Sequence, residues 1–159
     1  MGAPARVEDL AARLRGPDPR LAAAAVAREV VPGRIEAGDL VVAFALASFD
    51  LKRALTTASL PFRRVARDRM LQGSVAAVRY GSVQLLLEQP DGEGGLSAYL
   101  SHYGEGVAAV YLERPRFLPP SRASGRPPRA VHTPFGRRGW LLAHEWPWGP
   151  FIIALESEG

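Results

Sequence analysis

Few side chains in this sequence can move a proton or hold a ligand. The chain has 159 residues, no cysteine and three histidines, His102, His132 and His144. Without cysteine there is no disulfide scaffold, no thiolate zinc or iron–sulfur ligation and no cysteine nucleophile. Two glutamates stand out by position. Glu88 closes the apolar run that begins at Val83, and Glu156 closes the run that begins at Phe151. A carboxyl in apolar surroundings has a raised pKa and can serve as general acid or base. Tyr111 and His144 are the candidate proton donors or orienting groups beside them. Ser101 and His102 adjoin on a turn, which reads as capping rather than as a nucleophile and its base. Asp91-Gly92-Glu93-Gly94-Gly95 lacks the spacing of a phosphate loop and carries two carboxylates that repel phosphate, so it reads as a connector. His144 and Glu145 point to opposite faces of a strand and cannot share a metal ion without a bulge.

These groups need elements to hold them. Residues 1–33 read as a helical extension. Val7, Leu10, Ala11 and Leu14 follow helical spacing up to Gly16-Pro17, and Asp18-Pro19 then starts an alanine-rich helix that ends at Pro32-Gly33. Asp39 to Ala47 is a buried strand, and Ser48 caps a helix carrying Leu51, Ala54, Leu55 and Ala58. Strands follow at Phe62 to Ala66, Ser74 to Tyr80 and Ser82 to Glu88. A short helix around Leu96 and Tyr99 leads to a strand from Val107 to Glu113. The proline- and arginine-rich stretch 114–128 forbids a regular helix. Strands at Arg129 to Thr133, Trp140 to Trp146 and Phe151 to Glu156 close the chain.

Composition narrows the partners. The chain is 47% hydrophobic and 23% charged, too apolar for disorder, and no apolar run approaches the ~20 residues of a membrane span. The first 15 residues contain no continuous apolar stretch of the secretory kind, so the expected compartment is the cytoplasm. The net charge of +4 suggests nucleic acid, but of 20 basic residues only Lys52 is lysine, and asparagine is absent. Arginine without lysine or asparagine points to a G/C-rich bacterial genome. The arginines are also scattered instead of forming one stripe, so no nucleic-acid partner is expected.

The clearest organisational feature is a repeat. The runs ending at Glu88 and Glu156 place a glutamate in the same register, and each half opens with a buried-looking strand, which points to two βαβββ units at about 38–90 and 105–156. The stretch from Leu71 to Glu113, with the turn His102-Tyr103-Gly104-Glu105-Gly106-Val107, resembles the middle of a vicinal-oxygen-chelate module. The segment from Thr133 to Phe151, ending in Gly149-Pro150-Phe151, resembles its close. The resemblance covers residues 38–156 and is nearest to the metal-free N-terminal module of 4-hydroxyphenylpyruvate dioxygenase-like proteins. It implies an α+β fold in which two βαβββ units form a half-open β-barrel cup.

The resemblance also implies a divalent metal held by two histidines and a glutamate. At the corresponding positions stand Leu40, Ala109 (or Ala108) and Ile152, which cannot ligate one, so neither a metal nor another cofactor is expected. Taking those positions as inward-facing, strict alternation points Val42, Phe44 and Leu46 into the cup, with Tyr111 and Glu113, Ala154 and Glu156, and Gln84, Leu86 and Glu88. The expected ligand-binding set is Val42, Phe44, Gln84, Leu86, Ala109, Trp140 and Ile152; the expected catalytic set is Glu88, Glu156, Tyr111 and His144. Three functions follow. The first is a metal-independent cyclase or isomerase of bacterial natural-product biosynthesis acting on a hydrophobic small molecule. The second is a non-catalytic, resistance-type binding protein. The third is a dioxygenase-like subunit needing an iron-bearing partner. Homodimerisation is expected from the resemblance.

Overall fold

The computed structural model describes residues 6–60, 65–117, 131–142 and 147–156, with backbone only at Val65 and Val131. Helix α1 (Val7–Leu14) and helix α2 (Pro19–Val30) form where helical spacing gives each an apolar stripe, Val7, Leu10, Ala11 and Leu14 on one and Ala23, Val26, Ala27 and Val30 on the other. Asp18 caps α2, its Oδ1 accepting from Leu21 N at 3.1 Å. Arg13 donates to Glu29 at 3.0 Å and clips the two helices together.

The sheet is built from β1 (Leu40–Ala47), β2 (Val65–Asp68), β3 (Gly73–Tyr80), β4 (Val83–Pro90), β5 (Gly106–Glu113), β6 (Val131–His132), β7 (Arg138–Leu141) and β8 (Phe151–Leu155). Helix α3 (Leu51–Thr57) follows β1, and helix α4 (Gly95–Tyr103) separates the halves. The cap of α3 is Asp50, not Ser48: Asp50 accepts from Arg53 N at 3.1 Å, while Ser48 donates to Glu105 at 2.7 Å. Of the strand expected over Phe62 to Ala66, positions 61–64 lie outside the described residues, and the described strand runs on to Asp68. β7 starts two residues before Trp140 and ends at Leu141.

The strand order is β2-β3-β4-β1-β5-β8-β7-β6. Exchanging β1 with β5, β4 with β8, β3 with β7 and β2 with β6 reproduces that order. β1 pairs β4 in parallel, β5 pairs β8 in parallel, and β1 and β5 meet antiparallel at the centre. The duplicated architecture is therefore explicit in the pairing, as a curled half-barrel.

The two faces of the curl are chemically distinct. The outer face carries Phe44, Leu46, Leu85, Leu87, Val110, Leu112, Ile152 and Ala154, packed with α1, α2 and α3 into one core. The N-terminal helices thus cover the sheet of their own chain. Each fully buried leucine or valine there contributes about 1.5–3 kcal/mol. The inner face carries Ala43, Ala45, Ala47, Leu86, Ala109, Tyr111, Ile153 and Leu155, closed at one end by Leu71 and by Leu96, Tyr99 and Leu100 near or on α4.

One irregularity decides the faces of β1. Its pairing with β5 shifts between Val41, opposite Leu112, and Ala43, opposite Tyr111. The extra residue, Val42, is a β-bulge, and it reverses the alternation beyond it. Val42 stays on the inner side, whereas Phe44 and Leu46 turn outward. The expectation that all four even-numbered residues share the cup fails at that bulge.

Candidate active site

The inner face has a sealed polar centre and an open mouth. At the centre lie Asp68, Glu88 and Tyr111, all 0% exposed. Asp68 ends β2, and the turn that follows folds its main chain back onto the carboxylate. Oδ1 accepts from Met70 N and Leu71 N at 3.0 Å each, and Oδ2 accepts from Tyr111 OH at 2.7 Å. Glu88 comes from β4, opposite Val75 of β3 and Ala47 of β1. Gly73 makes room for it: a Cβ there would stand 3.2 Å from Glu88 Oε1 and 2.7 Å from Leu96 Cδ2.

Neither oxygen of Glu88 meets a hydrogen-bond donor among the described residues; the group it faces is the Asp68 carboxyl, to which the protonated acid donates. Burial, then the Asp68 carboxylate beside it, then Asp91, raise its pKa well above the carboxylate range and favour the protonated acid. The Tyr111 phenol is likewise raised well above its ordinary value, first by burial and then by Glu88 and Asp68. The centre therefore brings together a carboxyl with a raised pKa, a phenolic donor and a carboxyl held by three donors. Such a set can donate and retrieve a proton without a change in net charge.

The mouth is a cavity of about 390 Å³ lined from several strands, with Val42, Gln84, Glu113 and Leu155 among its walls. Phe135, in the turn between β6 and β7, also lines it, and its ring meets Tyr111 edge-on at 5.2 Å. That ring stands between mouth and centre.

Of the expected catalytic residues, Glu88 and Tyr111 come together at the centre. Glu156 does not. It lies just beyond β8, exposed, donating nothing to the cup and accepting from Arg138 at 2.8 Å, and that guanidinium lowers its pKa. His144 falls outside the described residues. Among the expected ligand contacts, Val42 and Gln84 line the mouth, and Leu86 and Ala109 are fully buried on the inner face. Phe44 is on the outer face because of the bulge. Ile152 is outer as well, since β8 pairs it with Val110, and the inward residue is Ile153. Trp140 pairs with outer-facing Ala154 and packs against Phe117, 5.7 Å between centroids, so it is remote from the cup. Trp148 stacks on His102 at the surface, 4.1 Å apart. The residue that the sequence reasoning missed is Asp68. Its only signal is an aspartate at the start of a turn, which marks main-chain capping rather than chemistry.

The metal implied by the resemblance does not fit. Leu40 borders the mouth, Ala109 lies deeper, and neither Ile152 nor inward-facing Ile153 has a donor atom. Among the described residues no three His, Asp, Glu or Cys side chains converge on a common point.

No family model matches the sequence, nor does any curated protein. Solved structures do match. Methylmalonyl-CoA epimerase from Mycobacterium tuberculosis superposes with a TM-score of 0.58 at 15% identity, covering 79% of this chain and 95% of its own. A hypothetical protein from Bacillus halodurans C-125 gives 0.57 at 13%, covering 77% and 96%. Methylmalonyl-CoA epimerase from Streptomyces coelicolor, bound to 2-nitronate-propionyl-CoA, gives 0.52 at 14%, covering 74% and 94%. The epimerases are members of the vicinal-oxygen-chelate superfamily. This chain has the vicinal-oxygen-chelate fold. At these identities the likeness is one of fold, and the site must be argued from its own residues. No described helix is long and apolar enough to cross a membrane.

Proposed function

We propose that this vicinal-oxygen-chelate chain is a metal-independent small-molecule enzyme of isomerase or cyclase type, with Glu88 as its proton donor. The observation that carries the reading is the fully buried Glu88 carboxyl, which meets no donor among the described residues and faces the Asp68 carboxyl. A core has no packing reason to bury two carboxyls against each other, and groups so perturbed concentrate at functional sites. Tyr111 and Asp68 beside it supply a second donor and an acceptor. The epimerase neighbours, one bound to methylmalonyl-CoA, support proton transfer on a small organic substrate as the reaction class. In this reading the substrate has a hydrophobic body and enters through the mouth, and Phe135 moves aside. The chain acts as a cytoplasmic homodimer in natural-product biosynthesis of a G/C-rich bacterium, a setting supported by its arginine-for-lysine composition.

The test is hydrogen exchange in deuterium oxide, read by proton NMR on methylmalonyl-CoA and a panel of acyl-CoA esters and small keto acids. Protein-dependent exchange of a carbon-bound hydrogen that is lost in Glu88→Gln is the expected result. A ligand that binds in the cup with no exchange at any pH would overturn catalysis. It would favour the second reading, a sequestering protein, which the sealing of all three polar groups supports.

A further inference from the structure

The mouth of the cup has a charge pattern that the acid–base centre does not explain. Three guanidinium groups from three separate elements line it: Arg20 from α2, Arg79 from β3 and Arg137 from the turn before β7. Two are held in place. Arg20 Nε donates to Ser82 Oγ at 2.8 Å, and Arg137 pairs with Glu113 at 2.7 Å while its Nε donates to the Glu156 carbonyl at 3.0 Å. Glu113 is the single carboxylate lining the cavity among the described residues, so two of the three positive charges are uncompensated there.

We infer that this mouth recognises the oxyanion of a small organic acid, a carboxylate or a phosphate, with Arg79 and Gln84 as the principal donors. Arg79 has no ion pair or hydrogen bond among the described residues, and Gln84 stands directly opposite it in the β3–β4 ladder. The Gln84 amide is also without a partner among those residues. A guanidinium and an amide side by side on one face offer several N–H groups to an oxyanion, which would compensate the charge of Arg79 and Arg20. Apart from Ser82, which is held by Arg20, the rest of the wall is apolar. Val42, Leu155 and Phe135 suit a hydrocarbon or aromatic body, and Phe135 adjoins Tyr111, so a molecule anchored at Arg79 would direct that body toward Glu88. Arg20 belongs to the N-terminal helices, which makes those helices part of the site as well as of the core. A volume of about 390 Å³ lies in the range of small-molecule pockets.

This inference rests on the cup being the substrate site, and the experiment separates the two claims. The full chain is titrated by calorimetry and by amide NMR with benzoate, phenyl phosphate and neutral benzamide. At least one anion should bind one-to-one about tenfold more tightly than benzamide, with shifts at Arg79, Gln84 and Phe135; whichever anion binds more tightly identifies carboxylate or phosphate as the preferred group. Arg79→Gln should weaken that binding about tenfold, and Arg79→Lys less. Arg28→Gln removes the same charge from the exposed side of α2 and should leave affinity unchanged. Equal affinity for benzamide, equal loss in Arg28→Gln, shifts away from the mouth or no binding at all would overturn the oxyanion site. Benzamide binding in the cup regardless of Arg79 would leave the small-molecule reading intact, and loss of hydrogen exchange in Glu88→Gln is read independently.

Discussion

In the first half of the sheet, β4 carries Glu88 into the buried centre. In the second half, β8 carries Leu155 to the same inner face, and Glu156 falls one residue later, outside the strand. Both glutamates follow an apolar run, yet one is fully buried against another carboxyl, Asp68, and the other is exposed and paired with Arg138. The pairing registers explain the difference. Phe44 lies opposite Leu85, and Val110 lies opposite Ile152, all four facing outward. Leu86 therefore corresponds in face to Ile153, and Glu88 to Leu155. The halves align in space one residue away from where their sequences align. A shift of one residue in a strand exchanges its faces, and here it separates an acid in the core from an ion pair in solvent.

That difference can be broken from the first half outward. Asp68→Ala removes the acceptor for two main-chain N–H groups and for Tyr111 OH. It should cost about 3 kcal/mol in urea unfolding, because three donors lose their partner in a buried site. Leu155→Glu places a carboxyl at the second half's equivalent of Glu88 without a Gly73 or an Asp68 turn prepared for it. About 2–3 kcal/mol of destabilisation is expected at neutral pH, shrinking in acid as the new group takes up a proton. Substituting Glu88 itself should act in the opposite direction. Its folded pKa is raised, so its contribution is fully favourable below the unfolded value near 4.5 and is lost as pH rises through the folded value. Glu88→Gln should therefore be more stable than the parent at pH 7 to 8, by about 1–2 kcal/mol, with the gap closing toward pH 4.5. A variant less stable than the parent across that range would contradict the assignment. Gly73→Ala should cost about 1–3 kcal/mol, since the new methyl meets Leu96 and Glu88. Glu156→Gln, at the bottom of the scale, should leave the melting temperature unchanged.

The sequence carries most of the architecture. Helical spacing in α1 and α2, the Asp18 cap and the apolar strands each reflect a local preference that the tertiary structure reinforces, and the duplicated order follows from them. What alternation could not supply is the parity of β1 and β8. The Val42 bulge adds one residue that no composition signal marks, because valine fits a bulge and a regular strand alike. On β8, the matching glutamate suggested a register that the ladder with β5 does not adopt. Phe44 and Ile152 face outward for these reasons, and Trp140 faces outward opposite Ala154, whereas Glu88, Tyr111, Gln84, Leu86 and Val42 lie on the inner side. Asp68 was illegible for a different reason. Its partner Tyr111 is 43 residues away, and only the closed sheet brings β2 and β5 to the same centre.

The central claim is that Glu88 holds a proton in the closed cup while Glu156 does not. Carboxyl-carbon NMR on glutamate-labelled protein follows both groups in one titration. The prediction is that the Glu156 resonance moves below the ordinary carboxylate pKa, while the Glu88 resonance keeps its protonated position well above 4.5. Glu88 titrating at or below the ordinary value would mean a solvated or paired carboxylate, and the buried proton donor would have to be abandoned.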